Sequence, residues 1–223
     1  MTEFLSWTSE EAYAGLVGSF SKEDEYCGTV SCAVPAWVVW EKQAVQAGGT
    51  EGYAKAMRQI AKIDNVADFW QTFLALPQPS ELLEGGHIVR EQHQHIDTLM
   101  FFREGVRPEW EDPRNKHGGH FQFQYRFGQV STPPSQVDEY WNNLILGVFG
   151  GALEGGEKIT GIRLVDKMAG GRNSCIRIEV WFQNYSDVQG VATLRAAVEN
   201  CMATKLDGTI GLPPRCEQKS HSE

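Results

Sequence analysis

The chain has 223 residues, of which 41% are hydrophobic and 11% aromatic, enough for a full core that in one domain of this size buries roughly 70% of the surface of the unfolded chain. Acidic residues outnumber basic ones by 29 to 20, a net charge of -9, which excludes a protein that tracks many phosphates nonspecifically and leaves room for one local basic patch. The five cysteines show no CxxC spacing, so the expectation is a reducing, cytoplasmic compartment without disulfide framework or metal site, and neither an apolar-cored leader nor a bilayer-length apolar run is read.

Residues 1–32 mix small, polar and acidic side chains without a lasting period and read as a flexible N-terminal tail; a short helical stretch after Ser9 in it is suited to ordering on a partner. A domain is expected over 33–215, and residues 216–223 read as a short polar tail after it. VPAWVVWE (34–41) is β-rich and forms the first core strand, with Trp37 and Trp40 an odd interval apart and so on opposite faces. The following QAVQAGGTEGYAKAM reads as a glycine-interrupted loop that carries Tyr53. Asn65 with Asp68 three residues on opens a helix in a capping-box pattern. Val66, Phe69, Trp70 and Phe73 give it an apolar stripe, and Pro77 and Pro79 end it.

A strand or turn is expected near Ile88 and Val89, and a strand over 99–103. His93 and His95 have the spacing of a metal pair on a strand, but no third ligand is placed and a polar outer face explains them. Between Arg103 and His120 the chain bends at Gly105 and Pro108 and presents Trp110, Glu111, Asp112, Arg114, Lys116 and His117 in one loop. A strand pair needs far fewer residues to turn, and such loops carry function more often than the strands that hold them. An indole offers a face for a stacked base, and the adjacent carboxylate accepts the ring N-H and exocyclic amine that guanine presents side by side.

HFQFQYRF then alternates strictly, Phe121, Phe123, Tyr125 and Phe127 to one face and His120, Gln122, Gln124 and Arg126 to the other, the mark of an antiparallel sheet with two different faces. A second helix is predicted from a Ser135 cap to Gly150 and Gly151. A strand pair follows at 159–166 and 175–182, joined by KMAGGRNS, and a third helix begins after Ser186 or Asp187. On the second strand of that pair Arg177, Glu179 and Trp181 share one face, which puts a cation and an indole on the same side. Three one-striped helices satisfy one face of the sheet and leave the other open. The glycine doublets make neither GxGxxG nor GxxxxGK[ST], which disfavours a doubly wound nucleotide fold.

The order-preserving set WVVW, NVADFW, REGVRPEWEDPRNKHGG, RIEVW and GLPP resembles the cap-binding translation initiation factor 4E family over about residues 37–214. The resemblance implies an α+β fold, a single curved and mainly antiparallel sheet of about eight strands, backed by three long helices on its convex face. It further implies a slot on the concave face for the 7-methylguanosine 5′ cap of messenger RNA, no catalysis and no cofactor. Trp110 and Glu111 correspond to the stacking indole and the guanine-reading carboxylate, Trp181 to the indole at the methyl group, and Arg163 and Arg177 to the cations on the phosphate bridge, with Lys167 or Arg172 as a further one. Tyr53 falls where the family carries an opposing tryptophan.

On the convex side the resemblance implies a groove at Val66, Trp70, Trp141, Asn142, Leu146 and Gly150 for a helix of a scaffold of the translation initiation factor 4G type or of an inhibitor peptide, in a monomer or heterodimer. Asn142 and Asn143 replace the family's leucine and acid. The glycine-rich insertions resemble those of divergent protozoan members, some of which meet a hypermethylated cap. Recruitment of messages for initiation is the reading that follows, with repression or storage of messages as the alternative. A remote third reading is a nucleotide-processing enzyme built on Glu109, Glu111, Asp112, His117 and His120.

Overall fold

The computed structural model describes residues 5–6, 36–44, 52, 55–84, 87–90, 94–126, 132–169 and 174–222. Tyr53, His93, Phe127 and Arg172, and all of the 1–32 segment except Leu5–Ser6, lie outside the described residues. Among the described residues nine strands form one sheet: β1 (Leu5–Ser6), β2 (Trp37–Gln43), β3 (Met57–Ile63), β4 (Ile88–Arg90), β5 (Gln94–Arg103), β6 (Gly119–Tyr125), β7 (Ile159–Asp166), β8 (Ile176–Phe182) and β9 (Cys216–Ser220). The order is β1-β4-β5-β7-β8-β6-β9, and β2 pairs with both β5 and β3. Every pairing is antiparallel except that of β1 with β4.

Four helices, α1 (Val66–Leu74), α2 (Pro79–Leu83), α3 (Pro134–Phe149) and α4 (Val188–Ala203), complete the described fold. Their stripes at helical spacing (Phe69 and Phe73; Val137, Trp141, Leu144, Ile145 and Val148; Val191, Leu194, Val198 and Met202) meet Trp37, Val39, Phe101, Phe121, Phe123, Ile178, Val180 and Phe182 from the sheet in one core. Each such side chain contributes on the order of 1.5–3 kcal/mol by leaving water. The opposite face carries a much smaller apolar cluster, Met100, Phe102, Val106 and Trp181, with Trp40 and Met57 packed against it. Trp37 and Trp40 thus serve opposite faces, as their odd interval requires.

Several elements differ from expectation. Residues 57–63, of which only Met57 falls in the expected loop and the rest have no expected element, pair along β2 as strand β3. In MRQIAKI the apolar residues are too sparse to give a strand period, so the hairpin partner supplies what the pattern lacks. The second helix starts one residue before Ser135, with Pro134 at its first position and no side-chain cap. Asp138 instead accepts the Ser80 amide of α2 at 2.7 Å. At the other end Gly151 takes φ +67, where a side chain would be strained, and its N-H reaches Val148 O at 3.3 Å. The third helix is capped by Asp187, which accepts from Gly190 N at 3.0 Å. The largest correction concerns residues 216–223: 216–220 are edge strand β9, hydrogen-bonded along β6, so the folded unit extends beyond residue 215.

Candidate nucleotide-binding face

The 104–118 connection is a braced platform. Asp112 is buried and spends its two carboxylate oxygens on the amides of Arg107 (2.9 Å) and Arg114 (2.8 Å). Asn115, fully buried, donates both N-H groups to Arg107 O (2.8 Å) and Glu109 O (2.9 Å). Glu109 pairs with Arg107 at 2.7 Å. At the exit Gly118 is obligatory, since a Cβ there would lie 1.9 Å from Phe182 O. With its neighbours fixed in this way, the loop leaves Trp110 57% exposed and Glu111 in solvent. The sequence-predicted pair is therefore presented outward by a brace in which both Asp112 oxygens and both Asn115 side-chain N-H groups are used, while Asn115 Oδ1 has no hydrogen-bond partner among the described residues.

Beneath it, cross-strand register arranges the open face in rows. Phe102, Gly161, Trp181 and His120 stand side by side on β5, β7, β8 and β6, followed by Met100, Arg163, Glu179 and Gln122, then by Thr98, Val165, Arg177 and Gln124. The first row closes tightly because a Cβ on Gly161 would lie 2.5 Å from the Phe102 ring. The Phe102 ring then meets Trp181 edge-on at 5.4 Å.

Trp181 is 1% exposed and donates its indole N-H to Glu179 at 3.1 Å. The Arg163 guanidinium lies 5.0 Å from the centre of the Trp181 ring and pairs with Glu179 at 3.3 Å. Burial pushes the Glu179 carboxyl up, but Arg163, His120, the Trp181 N-H and Arg177 together outweigh it and hold it below its ordinary range. Arg163, expected to face a phosphate bridge, is thus engaged within the sheet face. Arg177 is half-buried, with its Nε lacking a hydrogen-bond partner among the described residues, and Lys167 is exposed at the end of β7.

No local pattern signals what covers Trp181. Just past β9, His221 places its imidazole 4.3 Å from the Trp181 ring and 6.1 Å from that of Trp110, and 5.2 Å from His120. Its Nδ1 lies 2.9 Å from Asn115 O, which can only accept, so Nδ1 carries the proton and Nε2 accepts from His120 Nδ1 at 3.1 Å. Burial pushes His120 down to about 4, against the pull of Glu179, and also lowers His221. Asn115, Glu179 and His221 were not singled out as site residues. Asn115 and Glu179 lie within the motifs REGVRPEWEDPRNKHGG and RIEVW without a role assigned to them there, and the polar stretch holding His221 lacks any apolar alternation.

On the helix-covered side, Trp37, Ile63, Asn65, Val66, Phe69, Trp70, Leu146, Phe149 and Gly150 line an apolar groove between β2, α1 and α3. Val66 is 51% and Trp70 43% exposed. Trp141, expected among the partner-facing residues, is instead 1% exposed in the core, 6.2 Å from Phe101. Asn142 is half-buried and outside the groove lining, while Asn143 donates to Met202 O (3.1 Å) and Thr204 O (2.7 Å), tying α3 to the end of α4. Of the carboxylates and histidines of the enzyme reading, Asp112 and Glu109 are engaged as braces, Glu111 and His117 are exposed, and His120 is buried.

Comparison with known proteins gives one consistent answer. The model of the family described as Eukaryotic initiation factor 4E matches residues 35–222. The eukaryotic translation initiation factor NCBP of Triticum aestivum is 28% identical over 162 residues, 73% of this chain and 60% of that protein. The chain spans about three fifths of the length of the sequence relatives it matches. Among solved structures, the complex of C. elegans eIF4E-3 with the 4E-binding protein Mextli and cap analog aligns with TM-score 0.58 at 17% identity, over 82% of this chain and 89% of that one. Ascaris suum eIF4E-3 with m2,2,7G cap aligns with TM-score 0.57 at 19% identity, over 82% and 87%. At these identities the structural likeness speaks for the fold.

Proposed function

The chain belongs to the eukaryotic initiation factor 4E family, and from that premise we propose that it binds the 7-methylguanosine 5′ cap of messenger RNA on its open face, as a binding protein rather than an enzyme. The observation that carries this reading is the outward pair Trp110–Glu111 on a loop braced by Asp112 and Asn115, with His221 in ring contact with both Trp110 and Trp181. Trp110 stacks on the base, and methylation makes that base cationic, which adds attraction to the indole face. Glu111 takes the ring N-H and exocyclic amine. Trp181 borders the methyl group once its cover is displaced.

Arg177 and Lys167 are best suited to the phosphate bridge, with Arg172 a further cation of the same loop. Arg163 supports Trp181 from its place beside Glu179. Tyr53 is proposed as the second stacking face. The groove at Val66, Trp70, Leu146 and Gly150 receives an apolar helix of a scaffold or inhibitor, through which the bound message is recruited for translation initiation in the cytoplasm. Relatives solved with cap and with a 4E-binding protein agree in kind with both surfaces.

The deciding experiment is fluorescence titration with 7-methylguanosine triphosphate beside GTP: selectivity for the methylated ligand is expected, and equal weak binding overturns the reading. Glu111→Gln removes a charged two-bond contact and is expected to cost on the order of 2–5 kcal/mol of cap affinity. An unchanged dissociation constant removes Glu111 from the site.

A further inference from the structure

The two indoles assigned to the base both face one side chain of the protein itself. His221 is 4.3 Å from Trp181 and stacks on Trp110 with ring planes 19° apart. It is held by its backbone N-H on Gly118 O at 3.0 Å, by both ring nitrogens, on Asn115 O and His120, and by the neighbouring Ser222 hydroxyl on Lys116 O at 2.9 Å. These anchors all belong to the turn that follows Trp110–Glu111 or to the first residues of β6. We propose that His221 is a built-in occupant of the base slot. The strap made of β9 and the two residues after it holds an imidazole where a base touching both Trp110 and Trp181 has to lie, and it swings out before ligand enters. The inference rests on the cap-binding reading.

The physical case is one of competition. A neutral five-membered ring offers less stacking area than a purine and lacks the positive charge of a 7-methylated one, so it is the weaker occupant of the two indoles. Its hold is local: β9 is an edge strand, paired to β6 alone and largely exposed along its length, so it can open at a fraction of the cost of unfolding. An occupant of this kind lowers the apparent affinity for every base by the same factor, the reciprocal of the open fraction. It therefore sets a threshold for binding and leaves discrimination to Trp110 and Glu111.

Two measurements on the 223-residue chain test this. In the free protein, the ring protons of His221 are expected far from random-coil shifts because of the Trp181 and Trp110 ring currents, and to move toward random-coil values on saturation with 7-methylguanosine triphosphate. Random-coil shifts in the free protein, or shifts unmoved by bound ligand, overturn the proposal. In parallel, His221→Ala is expected to tighten 7-methylguanosine triphosphate and GTP by one common factor, about tenfold if the open form is the minor one. Unchanged or weaker binding means that the imidazole is a wall of the slot or stands outside it, and overturns the proposal. Wild type that binds both nucleotides equally overturns the cap reading alone, since the comparison with His221→Ala still decides the occupant. Absence of any nucleotide binding by both proteins removes both.

Discussion

The two faces of the sheet solve opposite problems. The open face buries Glu179, His120 and Gln122, each hydrogen-bonded to a neighbour, Glu179 to Trp181, His120 to His221, Gln122 to Glu217 (3.4 Å) and Lys219 (3.1 Å), and holds Arg163 half-buried in an ion pair with Glu179, its Nε without a hydrogen-bond partner among the described residues. The helix side is nearly all apolar inside, and its groove leaves Val66, Trp70 and Leu146 in water without a polar function. Paired polar groups fix geometry because each lost partner leaves an expensive orphan. Apolar surface gives affinity without dictating direction. The first device suits the base reading proposed for the open face, and the second suits the helix docking proposed for the groove.

The sharpest way to break this contrast is Glu179→Gln. It leaves the Arg163 guanidinium without its counter-charge beneath Trp181, and the expected loss is about 3–5 kcal/mol of unfolding free energy, read by urea denaturation. A loss below about 1 kcal/mol means the pair behaves as a surface bridge and the open face is not organised by it.

The next effect is in pH. His120 has its folded value depressed from 6.5 to about 4, so between those values the unfolded chain binds the proton and the folded one does not. Stability therefore falls as pH is lowered through that window, by on the order of 3 kcal/mol from this residue. His221 acts in the same direction, and Glu179, whose folded value is also depressed, adds a loss only below its own ordinary value near 4.5. His120→Gln is expected to flatten the stability profile between pH 6.5 and 4, and an unaltered slope shows that the ring is solvated.

The smallest change in stability is expected on the other side. Trp70→Ala removes a partly exposed ring that touches Phe69 and Phe73 only edge-on, at about 1 kcal/mol or less in urea, while a helix docked in the groove loses about 2 kcal/mol or more by calorimetry, as tryptophan anchors do. Retained peptide affinity places the partner elsewhere.

Local pattern was enough for much of this. The alternation of 120–125, the stripes from Phe69 to Phe73 and from Val137 to Val148, and the strand carrying Arg177, Glu179 and Trp181 all follow from side-chain period and lie where the pattern puts them. Trp110 and Glu111 were legible because a loop with no packing reason for its length displays them. Other features were not legible because their cause lies far along the chain. Strand β3 depends on the hydrogen bonds of β2, and β9 on those of β6, more than on any apolar period of their own. Trp141 looks like Trp70 in sequence, yet Phe101 and the sheet cover the one and leave the other 43% exposed.

What the sequence determined by itself is therefore the fold class and the outward display of Trp110 and Glu111, which rest on periods and on neighbours a few residues apart, and the family, which rests on motifs kept in order along the chain. What only the tertiary structure decided is the state of the slot. That Arg163 turns to Glu179, that Trp181 is covered, and that His221 reaches Asn115, 106 residues away, are results of cross-strand register. Register is set by the whole sheet and by no segment within it.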